Sequence, residues 1–259
     1  MLYDTESLIK RGKGRASELP RRLGVSPEAL KGARVLEIGC GFGETTFSTY
    51  DTYGAKALGI DPRPRFLKSP WHKLGLYREL EIEQLKGEDE QFDFMQSYTV
   101  WEHIERPRDA IVAAYKLMKP GGRAYFNFNL YLGPSASHLN KYLNMPWVHL
   151  LHSDEEIRAM MLKKHNLNRG PAWVNKLSAV HYQNYFAAVG FKILKVWYDR
   201  HAMPPQFYSE HYEKLKGLPK EELELNFMHV CLEKPAAVTQ EPPKRASPLN
   251  FIKRVLSRG

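Results

Sequence analysis

The sequence predicts an α/β fold with a mostly parallel sheet, and two observations carry that prediction. Short apolar runs rich in β-branched residues alternate with segments of helical period, and the first run, Arg34-Val-Leu-Glu-Ile38, opens into three glycines at alternate positions. Strands that alternate with helices return in one direction and wrap the sheet on both faces.

The elements follow in order. Residues 1–32 read as a helical arm, and Arg34–Ile38 as a buried strand with a helix beyond its glycines. Ala55–Ile60 is a second strand that stops at Asp61-Pro62, followed by a helical stretch to about Leu76 and a third strand near Tyr77–Ile82. Phe92–Ser97 reads as the fourth strand, and Pro107–Met118 as an amphipathic helix with proline in its first turn. Lys119-Pro-Gly-Gly122 turns the chain into a fifth strand, Arg123–Phe128. The alternation then breaks over 130–177, a stretch rich in Tyr, His, Asn and Trp, before a helix over Ser178–Val189 and two closing strands, Phe191–Tyr198 and Phe227–Glu233. A second insertion fills 199–226. Loops this long are usually functional. The domain plan is an arm (1–32), a domain (33–234) with two insertions, and a linker with a basic amphipathic tail (235–259).

The glycine loop carries the first chemistry. Glu37-Ile-Gly-Cys-Gly-Phe-Gly43 sits where a strand turns into a helix, where backbone must approach a ligand and adopt positive φ. A nicotinamide dinucleotide favours G-x-G-x-x-G, with its pyrophosphate at the helix N-terminus. Glu44 occupies the third position of that pattern, and a carboxylate beside a pyrophosphate is unfavourable. Asp61, at the end of the second strand, can accept both hydroxyls of a ribose.

Val35-Leu-Glu-Ile-Gly-Cys-Gly-Phe-Gly43 resembles the first motif of the class I S-adenosylmethionine-dependent methyltransferases, the small-molecule and polysaccharide-cluster type among them. Asp61, the acidic segment Glu81-Ile82-Glu83, Ser97-Tyr-Thr-Val-Trp-Glu-His-Ile104 and Leu117-Met-Lys-Pro-Gly-Gly122 match later motifs in order, so the resemblance covers residues 33–129 and the closing helix and strand. It implies a Rossmann-like sheet of seven strands, mostly parallel with the last antiparallel, helices on both faces and a lid after strand five. It also implies S-adenosylmethionine as cofactor, held by Glu37, Gly39, Cys40, Gly41, Gly43, Asp61, Glu81, Ile82, Ser97 and Tyr98.

Methyl transfer is an in-line displacement that needs alignment and a nucleophile freed of its proton. The acceptor meets the cofactor outside the carboxyl ends of the strands. Trp101, Asn129, Asn140, Tyr142 and His149 are the expected acceptor contacts, with His138 and His103 as catalytic candidates because imidazole titrates near neutrality. Glu102-His103 also resembles the end of a Glu-x-x-Glu-His pattern that some quinone-pathway methyltransferases associate with a divalent ion, but Thr99 replaces its first glutamate. The spacings of the other histidines match no ligand signature, so no metal is expected.

The chain carries a net charge of +9, of which 235–259 holds +4 in five basic residues against Glu241. The rest is too dispersed to argue for nucleic acid. The segment 249–258 could touch an anionic membrane weakly. No apolar run reaches membrane-spanning length, the N-terminus has no secretory core, and Cys40 and Cys231 form no disulfide or zinc pattern, so a cytoplasmic protein is expected, at most peripheral to the inner membrane face. The expected function is O-methylation of a sugar, glycan or small-metabolite hydroxyl. The alternatives are N- or C-methylation of a small molecule, nucleic-acid methylation, and a non-catalytic cofactor-binding scaffold.

Overall fold

A computed structural model describes residues 4–86 and 91–236. The expected membrane-contacting tail, 249–258, lies outside them, as does most of 235–259. No helix among the described residues is long and apolar enough to cross a membrane.

Seven strands form one sheet: β1 (Arg34–Ile38), β2 (Lys56–Ile60), β3 (Tyr77–Arg78), β4 (Phe92–Tyr98), β5 (Met118–Asn129), β6 (Lys192–Arg200) and β7 (Leu225–Glu233). Their spatial order is β3-β2-β1-β4-β5-β7-β6. β1 pairs parallel with β2 and β4, and β4 parallel with β5. Only β7 runs antiparallel, inserted between β5 and β6. The expected sheet is therefore present, including its reversed last strand. The chain order reverses between β1 and β4, which opens a crevice at the carboxyl ends of those strands.

Alternation along β1 assigns the two faces. Val35 joins Leu19, Leu23, Leu30 and Tyr125 beneath the helix α1 (Thr5–Leu23), whereas Leu36 and Ile38 join the larger core on the other face. Asp4 caps α1 by accepting the Ser7 N–H at 2.8 Å, and Gly24 ends it in the left-handed region. Helix α2 (Glu44–Tyr53) packs on α1, and the approach is so close that a Cβ on Gly12 would stand 2.3 Å from the Glu44 carbonyl oxygen. The opposite face is covered by α3 (Pro107–Leu117) and α7 (Ala179–Val189), whose Ala110, Ala114, Tyr182 and Phe186 are buried.

Three expectations are corrected. The helical stretch before β3 is two short 3₁₀ turns, Arg65–Lys68 and His72–Leu74, because Pro62, Pro64 and Pro70 interrupt any longer helix. β3 has two residues rather than six, and Glu81 instead starts a 3₁₀ turn over Ile82–Gln84 with a capping box. The turn at Lys119–Gly122 is a bulge inside β5, where the pairing register with β4 shifts between Phe92 and Phe94.

The two insertions pack on each other. Between β5 and α7 the chain forms α4 (Asn140–Leu143), α5 (Val148–Leu151) and α6 (Asp154–His165), with their own core of Leu139, Leu143, Val148, Ile157 and Met161. Between β6 and β7 it forms α8 (Pro205–Glu210), α9 (Tyr212–Leu215) and α10 (Lys220–Leu223). Trp147 joins the two: its ring is buried with Leu151, Met203, Leu215 and Leu223, and its indole N–H donates to the Leu223 carbonyl at 2.7 Å. Trp147 adopts φ 57°, a conformation a bulky residue enters only when its surroundings enforce it.

Candidate active site

The crevice holds a cavity of about 290 Å³ running from the end of β2 to the loop after β4. Gly39, Asp61, Glu81 and Ile82 line it, joined at the far end by Val100 and His103. Ile38, Ile60 and Leu80 add apolar wall. The cavity thus offers charged and polar groups around Asp61 and an apolar slot beside them, as a nucleoside requires.

Asp61 is the hinge of the glycine loop. It is almost fully buried; one carboxylate oxygen accepts the Gly41 N–H at 2.9 Å and the other the Arg63 N–H at 2.8 Å. Each oxygen retains a lone pair, so the group orders the loop and can still accept from a ligand hydroxyl. Gly39 and Gly43 both have positive φ, and a Cβ on either would stand within 2.4 Å of Val100 or of the Tyr77 ring. These features fit an adenosine-bearing ligand whose other half lies along the loop, and S-adenosylmethionine has that shape.

The remaining expected cofactor residues stand outside the cavity wall. Gly41 and Gly43 complete the loop, and Cys40 packs against Gly59. The Ser97 hydroxyl donates to the Ile38 carbonyl at 2.9 Å, tying β4 to β1. Tyr98 faces α1, with the Arg15 guanidinium 4.3 Å above its ring. Glu37 accepts a hydrogen bond from the Thr46 hydroxyl under α2. Burial, with Glu44 nearby, pushes the Glu37 carboxyl up to about 8. The folded state therefore keeps a proton that the unfolded chain releases above its ordinary value of 4.5, so this group costs stability progressively as pH rises from about 4.5 to about 8. Urea unfolding of Glu37→Gln at about pH 5 and about pH 8 is expected to show a smaller loss of stability between the two than wild type.

At the other end of the cavity the loop after β4 meets the lid. Thr99 turns the chain at φ 60°, and Trp101–His103 forms a 3₁₀ turn. Trp101, expected to touch the acceptor, is instead a core residue: its ring is fully buried against Phe126 and Phe186. Trp101→Ala is expected to cost about 3–5 kcal/mol of stability, read from urea midpoints, through the cavity it leaves.

The structure brings Glu102, His103 and His138 together, with one potential donor atom from each lying within 4.8 Å of the others. Glu102 is buried; one of its oxygens accepts the Asn129 N–H at 3.3 Å, and the other has no partner. Burial pushes its carboxyl up to about 8. His103 Nδ1 lies 2.9 Å from the Trp173 carbonyl oxygen, which can only accept, so Nδ1 carries the proton and Nε2 keeps its lone pair. His138 sits at φ 56° with Nε2 buried, unpartnered and 3.8 Å from Glu102. Burial lowers both imidazoles, His138 to about 4, so both are neutral at pH 7.

The other expected acceptor contacts are dispersed. Asn129 is buried and donates to Asn226 at the start of β7. Asn140 donates to the Ser135 hydroxyl at 3.0 Å and leaves its buried Oδ1 unpartnered. His149 donates through Nε2 to the Tyr131 carbonyl at 2.7 Å, and Tyr142 accepts from Arg169 across the lid. Sequence reasoning passed over Asn175. Its N–H donates to the Glu102 carbonyl at 2.9 Å and its side-chain amide to the Trp101 carbonyl at 2.8 Å, clamping the returning lid onto the β4 loop. Its position between Trp173 and Lys176, in a segment without regular structure, carried no signal of this role.

Residues 36–126 match the family described as "Methyltransferase domain". A ubiquinone biosynthesis O-methyltransferase of Roseobacter denitrificans is 38% identical over 113 residues, which are 41% of this chain and 45% of that protein. The chain thus spans under half the length of that curated relative. Among solved structures, an S-adenosylmethionine-dependent methyltransferase from Listeria monocytogenes aligns with TM-score 0.55 at 19% identity, covering 86% of this chain and 98% of that one. Phosphoethanolamine N-methyltransferase 2 of Haemonchus contortus, solved with S-adenosyl-L-methionine, aligns with TM-score 0.54 at 15% identity over 86% of this chain and 52% of that one. Likeness at such identity speaks to the fold alone. Motif order, cavity and domain match agree in residues 36–126, which are similar to the methyltransferase domain family, on a fold shared with S-adenosylmethionine-dependent methyltransferases.

Proposed function

We propose that the protein is an S-adenosylmethionine-dependent O-methyltransferase of a small molecule, and that its acceptor is an aromatic hydroxyl of the quinone-precursor class. The observation that carries this reading is the Glu102–His103–His138 group, of which His103 lines the cavity, where two neutral imidazoles and a buried carboxyl surround the place a hydroxyl must lose its proton. S-adenosylmethionine supplies, when bound, an electron-poor methyl carbon on sulfonium. The residues here hold its nucleoside through Asp61, Glu81 and Ile82, and the backbone of the turn at Gly39, Gly41 and Gly43, packed against Val100 and Tyr77, borders its amino-acid end, with Glu37 and Cys40 beneath that loop. His138 and His103 receive the acceptor, and the lid around Asn140, Tyr142 and His149 closes over it. Exclusion of water by that lid strengthens each polar contact inside.

The curated relative named for ubiquinone biosynthesis supports an aromatic acceptor over the sugar or glycan expected from the lid's composition. A phenol ionises near pH 10, so it asks less of a base than an aliphatic hydroxyl does. The test is methyl transfer from S-adenosylmethionine to a panel of catechols, dihydroxybenzoates, sugars and amines, with products identified by mass spectrometry. O-methylated catechols are expected, and transfer confined to amines or sugars would refute the reading.

A further inference from the structure

We propose that the acceptor carries an anionic group, a carboxylate or a phosphate, which Arg63 and Arg65 receive at the mouth of the cavity while Arg169 faces it from the lid. The inference rests on the acceptor position proposed above and adds the class of molecule that fits there. Arg63 and Arg65 line the cavity together with His103, and both side chains are exposed at its opening. They follow Asp61 in the turn after β2, where Pro62 and Pro64 stiffen the backbone that carries them. The Arg63 N–H anchors that backbone on Asp61 at 2.8 Å. The Arg65 guanidinium lies over the Phe42 ring, 5.5 Å from its centroid, which leaves the edge of the fork free for a ligand. Among the described residues neither arginine is paired with a carboxylate.

Arg169 reaches the same place from the other side. Its guanidinium donates to the Tyr142 hydroxyl at 3.4 Å and lies 5.4 Å above that ring. After burial, the charges of Arg63 and Arg65 help to lower the His103 imidazole, and after burial and the His103 ring, that of Arg169 helps to lower His138. All three charges that bear on the two histidines are therefore positive. The carboxyl among them does not offset them, because burial pushes Glu102 up to about 8 and keeps it mostly protonated at pH 7. Of the acidic residues lining the cavity, Asp61, Glu81 and Glu83 belong to the nucleoside end, and Glu105 adjoins Arg106, whose guanidinium lies 3.6 Å from Asp109.

The balance selects the acceptor. A neutral molecule would leave three guanidiniums facing a cationic sulfonium, whereas an anionic group offsets that repulsion. Guanidinium forks match the paired oxygens of a carboxylate or phosphate, and the same positive charge favours the ionised form of the hydroxyl that is to be methylated. The rival occupant of the two arginines is the carboxylate of the cofactor itself.

The test compares kcat/KM for a dihydroxybenzoate, its methyl ester and a hydroxyphenyl phosphate in the full chain and in Arg63→Ala, Arg65→Ala and Arg65→Lys. Wild type is expected to prefer an anion over the ester by about tenfold or more, and the anion that leads identifies the group. Each alanine variant is expected to lose about tenfold on that anion and less than about threefold on the ester, with S-adenosylhomocysteine binding within about threefold of wild type. Arg65→Lys, which keeps the charge without the fork, should fall between. Equal turnover of ester and anions by wild type, or equal losses on both in the variants, would overturn the inference. Weakened S-adenosylhomocysteine binding with the anion preference retained would give the arginines to the cofactor and overturn it as well. Should no hydroxyl be methylated, the proposed function fails, and calorimetry of both anions against the protein loaded with S-adenosylhomocysteine decides the inference separately. Binding to wild type that Arg63→Ala and Arg65→Ala weaken supports it, and no binding, or binding unchanged in both variants, overturns it.

Discussion

Asp61→Ala is expected to raise the dissociation constant for S-adenosylhomocysteine about a hundredfold, measured by calorimetry. The carboxylate does two things at once. It accepts the N–H groups of Gly41 and Arg63, and it faces the cavity where ribose hydroxyls must be received. Its loss leaves one donor of the glycine loop and one of the turn after β2 without their partner and removes a charged acceptor. Hydrogen bonds to charged groups are worth about 1.5–3 kcal/mol, and a hundredfold corresponds to about 2.7 kcal/mol, the size of one such bond. Asp61→Asn should fall between wild type and alanine, because an amide offers one acceptor oxygen where the carboxylate offers two. A dissociation constant within about threefold of wild type in the alanine variant would show that the loop orders itself without Asp61.

His138→Ala is expected to lower kcat by about 10²–10³ while S-adenosylhomocysteine binding stays within about threefold of wild type. The separation follows from position. His138 belongs to the lid, 3.8 Å from Glu102, and is not part of the wall around Asp61 and Glu81. A residue that meets only the acceptor changes the step in which the hydroxyl loses its proton and leaves cofactor affinity alone. Single-turnover kinetics with a catechol acceptor distinguish this from slowed product release. An unchanged single-turnover rate would remove His138 from the chemistry and leave it a structural residue of the lid.

The core of the fold was legible because its signals are local. Arg34–Ile38, the glycines beyond it, Asp61 at a strand end and Pro107 at a helix start each announce themselves within a few residues, and their order implies the parallel sheet. β3 was overread because Tyr77–Ile82 has the apolar alternation of a strand, yet Glu81 and Gln84 bond each other's backbone and stop the ladder after Arg78. Trp101 was misplaced for a related reason. Its neighbours Glu102 and His103 belong to the site, but the 3₁₀ turn over Trp101–His103 points successive side chains apart, one into the core and the next two toward the lid.

The site's second half depends on contacts between distant segments, which periodicity cannot express. His138 meets Glu102 only because the lid returns over the β4 loop, held by Asn175 on the carbonyls of Trp101 and Glu102. The joining of the two insertions through Trp147 and Leu223 is of the same kind. Each insertion reads as an irregular loop, and their shared core of Trp147, Leu151, Met203, Leu215 and Leu223 exists only once β6 and β7 bring them side by side. Trp147→Ala is expected to loosen both insertions together, seen as faster hydrogen exchange over 139–165 and 203–224 with the sheet's protection unchanged.

The most direct test is a crystal structure of the protein with S-adenosylhomocysteine and a catechol. The ribose hydroxyls are expected on Asp61, the adenine between Glu81 and Ile82, and the sulfur facing a catechol oxygen that lies beside His103 and His138. A cofactor bound outside the crevice, or a sulfur directed away from Glu102, His103 and His138, would contradict the assignment of this end of the cavity as the place of methyl transfer.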